Sequence, residues 1–145
     1  MKQIILFSAV VFLMSCKSET QDEKSSYPTH YELSKGKETA TYQQTIDYYM
    51  ALAREFPQIN IQTIGKTDSG YPLHTVTFNP DADFNFENIR KEKTIILINN
   101  GIHPGESDGI DATMMLYRDL ATGELKAPKN TVLVTIPIYN VGGAL

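Results

Sequence analysis

Apolar residues recur along the chain at two different spacings, and the spacing switches where Gly, Pro or Asn interrupts it. Between Thr41 and Phe56, the residues Ile46, Tyr49, Met50, Ala53 and Phe56 share one side of a 3.6-residue period, which predicts a helix with one buried face. Thr41 and Gln44 fit a capping box at its start, and Pro57 stops it. Asn60 to Ile64 and Tyr71 to Phe78 read as partner strands joined by a turn from Gly65 to Gly70, with Asp68-Ser69-Gly70 as its turn chemistry. His74 alternates onto the face of Val76 and Phe78, where a histidine is more often a hydrogen-bonded core residue than a ligand. Residues 81–93 read as a loop with a short helical piece. Ile95 to Ile98 is a continuous apolar run rich in β-branched residues, as in a strand buried on both faces, although periodicity alone also allows a helix segment. A second helix follows, with Ser107 or Asp108 as cap and Asp111 in the first turn. Its buried face carries Ile110, Met114, Tyr117 and Ala121, and Gly123 sits at its C-terminal cap. Met114 and Met115 read as core fillers rather than metal ligands. Thr131 to Ile138 is a second continuous apolar strand. Strand, helix and strand with so long a crossover predict a right-handed parallel βαβ unit, hence an α/β fold.

Composition adds limits. A chain of 145 residues holds one domain at most, and 41% hydrophobic with 21% charged residues is ordinary for a globular protein. A net charge of −4 gives no hint of nucleic-acid binding. Residues 1–16 read as a targeting segment: Lys2 supplies a positive charge, and the apolar core from Ile4 to Met14 is too short to span a membrane. Leu13-Met14-Ser15-Cys16 resembles the lipobox of bacterial lipoproteins, which implies a signal peptide cut before Cys16, lipid attached to Cys16, and a protein anchored at the bacterial cell envelope. An ordinary signal peptide or a short anchor are the alternatives. Residues 17–37 are polar and aperiodic, as in a flexible tether, and His30 near their end reads as solvated and idle.

The candidate chemistry lies where the Ile95–Ile98 run ends. His103 and Glu106 stand three apart in Gly101-Ile102-His103-Pro104-Gly105-Glu106, a turn half made of Gly and Pro. Open α/β sheets place ligands beyond the carboxyl ends of their strands, and an imidazole with a carboxylate there are natural metal ligands. The spacing alone is a weak signal, which an incidental surface His and Glu would also give.

The longer stretch Asn99-Asn100-Gly101-Ile102-His103-Pro104-Gly105-Glu106 resembles the first zinc motif of the zinc metallocarboxypeptidases, the carboxypeptidase A-like peptidases, and the likeness extends from about Tyr42 to the end of the chain. The resemblance implies that His103 and Glu106 bind one Zn2+. It also implies hydrolysis of C-terminal residues from peptides by zinc-activated water. The third zinc ligand, the substrate-gripping arginines and the general-base glutamate of such enzymes are expected beyond Leu145, so no catalytic residue is expected within this chain. Residues 38–145 are therefore expected to be the N-terminal part of a catalytic domain, an incomplete half of a mixed, mostly parallel-core sheet flanked by helices. The partners implied are a peptide with a free C-terminus and, through the lipid alone, a membrane. Two departures stand out: Val141 and Gly142 replace the family's usual Pro and Asp after Asn140, and Gly105 stands where pancreatic-type members carry an arginine that contacts substrate upstream of the cut. A zinc amidohydrolase similar to aspartoacylase or succinylglutamate desuccinylase, and a non-catalytic zinc-binding lipoprotein fragment, are the alternatives.

Overall fold

The computed structural model describes residues 26–145. The expected signal segment, Cys16 and the first part of the expected tether lie outside the described residues. The element order is α1 (His30–Leu33), α2 (Tyr42–Glu55), β1 (Ile59–Lys66), β2 (Pro72–Phe78), α3 (Phe86–Glu92), β3 (Thr94–Asn99), α4 (Asp108–Thr122) and β4 (Thr131–Ile136). The strands form one mixed sheet in the order β1-β2-β4-β3. β1 and β2 form an antiparallel hairpin with a register shift between Thr63 and Gly65. β2 pairs antiparallel with β4, and β3 pairs parallel with β4 from Thr94↔Thr131 to Asn99↔Ile136. The parallel βαβ unit is therefore present, while the other two pairings of the described sheet are antiparallel.

β4 shows why the sheet needs cover on both sides. Successive side chains of a strand point to opposite faces. Leu133 joins the main core with α2 and α4, whereas Val132 and Val134 pack with Ile89 of α3 on the other face. Tyr49 of α2 and Tyr117 of α4 meet edge to face at 5.6 Å, and Tyr117 does the same with Phe78 of β2 at 6.3 Å. That edge-to-face order suits the ring quadrupoles and adds to the area each ring buries.

Three expectations change. The capping box of α2 forms as read, with Thr41 accepting from the Gln44 amide and the Gln44 side chain accepting from the Thr41 amide. Its buried face, however, is Tyr42, Thr45, Ile46, Tyr49 and Leu52, while Met50 is exposed at the rim of the stripe. β3 is not buried on both faces. It is an edge strand of the described sheet, as β1 is at the other side, and Ile95, Ile96 and Leu97 are 40%, 46% and 60% exposed. Finally, the part of the expected tether from Ser26 to Lys37 is folded. Thr29, fully buried, caps α1 through a capping box with Glu32. His30 is not idle: its ring bonds Glu38 at 3.1 Å and Gln44 at 3.4 Å. The polar composition of this stretch hid a set of caps and ion pairs, which need polar side chains.

Candidate metal centre

β3 delivers the chain to the site, and the ladder does not stop with it. Asn100 N–H still donates to the Ile136 carbonyl at 3.1 Å, Tyr139 N–H to Asn100 O at 2.8 Å, and Asn140 N–H to Gly101 O at 2.9 Å. Gly101 then turns the chain with φ +61°, a left-handed value that favours glycine, and a Cβ there would lie 3.1 Å from Ile138 Cα. Glu106 N–H closes the turn onto the His103 carbonyl at 2.9 Å. α4 starts two residues later. Ser107 holds its N-cap position but makes no side-chain cap hydrogen bond, contrary to the expected capping role.

The turn brings the two predicted ligands together. His103 Nδ1 lies 3.4 Å from Glu106 Oε2, and the two side chains are 75% and 77% exposed. They line an open cleft of about 350 Å³ with Asn99, Asn100, Ile102 and Asp108. A charge-assisted hydrogen bond is usually shorter, roughly 2.7–2.9 Å. Two ligand atoms on one tetrahedral zinc, each at about 2.0–2.2 Å, are themselves about 3.3–3.5 Å apart. The separation and the mixed nitrogen–oxygen donor set therefore fit two positions of such a site. No group of three His, Cys, Asp or Glu that could hold a metal occurs among the described residues. The pair alone therefore does not make a complete metal site among the described residues. His74 is elsewhere: it is buried on β2 with Nδ1 3.3 Å from Tyr42 Oη, and burial lowers its pKa.

Two relationships near the site were not legible in the chain. Asp111, expected chiefly to complement the helix dipole, is buried and accepts from Thr39 Oγ1 at 2.5 Å. Asn100, which the sequence presents only as part of the stretch that resembles the zinc motif, is buried and bonds side chains from α4 and β4. Partners 72 and 35 positions away leave no local spacing signal.

The profile of the zinc carboxypeptidase family matches residues 45–143, a span that holds the strand, the turn and both candidate ligands. This chain belongs to the zinc carboxypeptidase family. Solved structures share the fold. Carboxypeptidase A from Helicoverpa armigera matches with a TM-score of 0.63 and 19% identity over 74% of this chain and 26% of its own. Bovine thrombin-activatable fibrinolysis inhibitor, solved in complex with tick carboxypeptidase inhibitor, matches at 0.59 with 15% identity over 74% of this chain and 33% of its own. A Shewanella denitrificans protein assigned as carboxypeptidase A matches at 0.59 with 21% identity over 71% of this chain and 26% of its own. This chain thus spans about a quarter to a third of the length of these structures. No curated protein matched the sequence.

Proposed function

We propose that the protein is a zinc-dependent metallocarboxypeptidase that removes C-terminal residues from peptides, and that this chain is the N-terminal portion of its catalytic domain. The observation that carries the reading is the convergence of His103 and Glu106 at 3.4 Å at the carboxyl end of β3, inside the span that matches the family. Bound zinc would supply a Lewis acid and a water of lowered pKa. His103 and Glu106 would hold it, and the open cleft beside them would admit the peptide. The exposed apolar edge of β3 supports the view that further sheet belongs against it, since a strand of Ile and Leu is stable only when covered. Replacing His103 and Glu106 together by alanine in the complete protein should abolish stoichiometric zinc, measured by elemental analysis. Unchanged zinc content would defeat the assignment.

Upstream specificity follows from Gly105, which brings neither charge nor side chain to the turn. A Cβ at Gly105 would meet nothing within 4 Å, so there is room for one. The enzyme is expected to depend little on a polar contact upstream of the cut. Gly105→Arg should add such a preference in a peptide series, and an unaltered preference would count against the idea. Anchoring through lipid on Cys16 is part of the same proposal, supported by the lipobox-like Leu13 to Cys16. Mass spectrometry should find a mature N-terminus at an acylated Cys16, and an unmodified N-terminus elsewhere would exclude it.

A further inference from the structure

We propose that Asn100 is the positioning residue of the His103–Glu106 loop, and that it acts with Thr113, Thr135 and Gly109 as a buried latch. This rests on the metal reading for its consequence, though not for its structure. Asn100 is the first residue beyond β3, and its side chain is buried under the cleft. Its Nδ2 donates to Thr113 Oγ1 at 2.9 Å and to Thr135 Oγ1 at 3.3 Å. The two hydroxyls pass the chain of bonds on: Thr113 donates to the Gly109 carbonyl at 2.6 Å and Thr135 to the Ile98 carbonyl at 3.0 Å. With both hydroxyl protons committed to carbonyls, only the NH₂ end of the amide can face them, so the orientation of Asn100 is determined by its partners.

The latch closes on both ends of the loop. The loop leaves the sheet at Asn100 and Gly101 and re-enters regular structure in the first turn of α4. Ser107 offers that turn no side-chain cap. Instead, α4 is held through Gly109 and Thr113, which touch the same amide. At Gly109 a Cβ would lie 2.7 Å from Asn100 Oδ1, so the close approach of helix and amide requires glycine. The side chain thus joins β3, β4 and α4 beneath the two candidate ligands, although it touches neither. Groups hydrogen-bonded to metal ligands commonly alter metal affinity by about 10–100-fold, and a group that holds the loop one step further back is expected to act at the lower end of that range.

The test uses the complete protein with cobalt(II) as a spectroscopic stand-in for zinc, together with amide hydrogen exchange. Gly109→Ala puts a methyl against the amide at a helix position where alanine is otherwise favoured. Asn100→Leu removes the donors. Both are expected to weaken Co2+ binding by about 10-fold or more and to alter its visible absorption bands. Both should also speed exchange selectively at the Tyr139 and Asn140 amides, which bond Asn100 and Gly101, and leave the β1–β2 hairpin unaffected. If Asn100→Leu does not fold, Gly109→Ala carries the test. Selective exchange changes in the variants, with a wild-type protein that takes up no Co2+, would overturn the metal reading and support the latch. Unchanged exchange at Tyr139 and Asn140, or wild-type cobalt affinity and spectrum in a folded Gly109→Ala variant, would overturn the latch.

Discussion

Arg118 of α4 donates from Nη1 to Glu32 Oε2 of α1 at 2.5 Å, which fastens the segment before α2 to the helix that follows the His103–Glu106 loop. The guanidinium is only 6% exposed, and it also donates to Asp119 Oδ1 at 2.7 Å and to the Tyr27 carbonyl at 3.3 Å. Burial raises the pKa of Glu32, but the Arg118 bond and charge, with the Thr29 amide and hydroxyl, outweigh it and the net shift is downward. Breaking a buried pair leaves its partner charged and dry. Arg118→Met is therefore expected to cost about 2–3 kcal/mol, less than a fully buried pair because the Glu32 side chain is 30% exposed. Glu32→Gln should cost less. Because the folded pKa of Glu32 is depressed, its contribution is present above 4.5 and is lost as pH falls further. Urea unfolding of both variants at neutral pH and near pH 4 checks the magnitude and the sign.

His74 gives a second, separable pH dependence. Tyr42 Oη–H donates to the Pro72 carbonyl at 2.6 Å, so its oxygen is left to accept from His74 Nδ1–H. Burial lowers the His74 pKa below 6.5, so the unfolded chain takes up a proton before the folded one does. Stability from the neutral ring is full above about 6.5 and declines as pH falls below it. Denaturant midpoints between pH 7.5 and 5 should fall for the wild type and less steeply for His74→Gln. Equal slopes for the two would show that another group governs this window.

Tyr49 is nearly fully buried, and its hydroxyl has no hydrogen-bond partner among the described residues. A buried hydroxyl without a partner costs roughly 1–3 kcal/mol of desolvation. Tyr49→Phe keeps the ring contact with Tyr117 and removes that cost. It should raise stability by about 1 kcal/mol, seen as a higher melting temperature. A clear loss would mean the hydroxyl has a partner in solution.

The β3 edge should make the isolated chain self-associate. Leu97 is 60% exposed on a strand whose outer edge has no partner among the described residues. A charge on an exposed edge is a common device against pairing with another chain. Leu97→Lys should therefore reduce oligomers in the 145-residue chain, measured by light scattering, whereas a wild-type chain that is already monomeric would contradict the expectation. In the complete protein the same change should destabilise, if further sheet covers this strand.

The sequence by itself determined the local elements and the nearness of His103 to Glu106. Capping residues, the 3.6-residue stripe, the Gly and Pro punctuation and the two apolar runs act within one or two turns of backbone, so α2, α4, the hairpin and the parallel pair were legible from spacing. That His103 and Glu106 lie close together was legible because three residues and one turn separate them, whereas their reading as zinc ligands came from the family resemblance. Tertiary structure decided the rest. Burial of β3 depends on what lies beside it, and its apolar run matches that of β4, which is covered on both faces. Whether Ser26–Lys37 folds depends on Arg118, 86 positions beyond Glu32, and the setting of Asn100 depends on hydroxyls from α4 and β4. Such contacts form only when distant segments pack, and a polar residue carries the same local pattern whether it faces water or a buried partner.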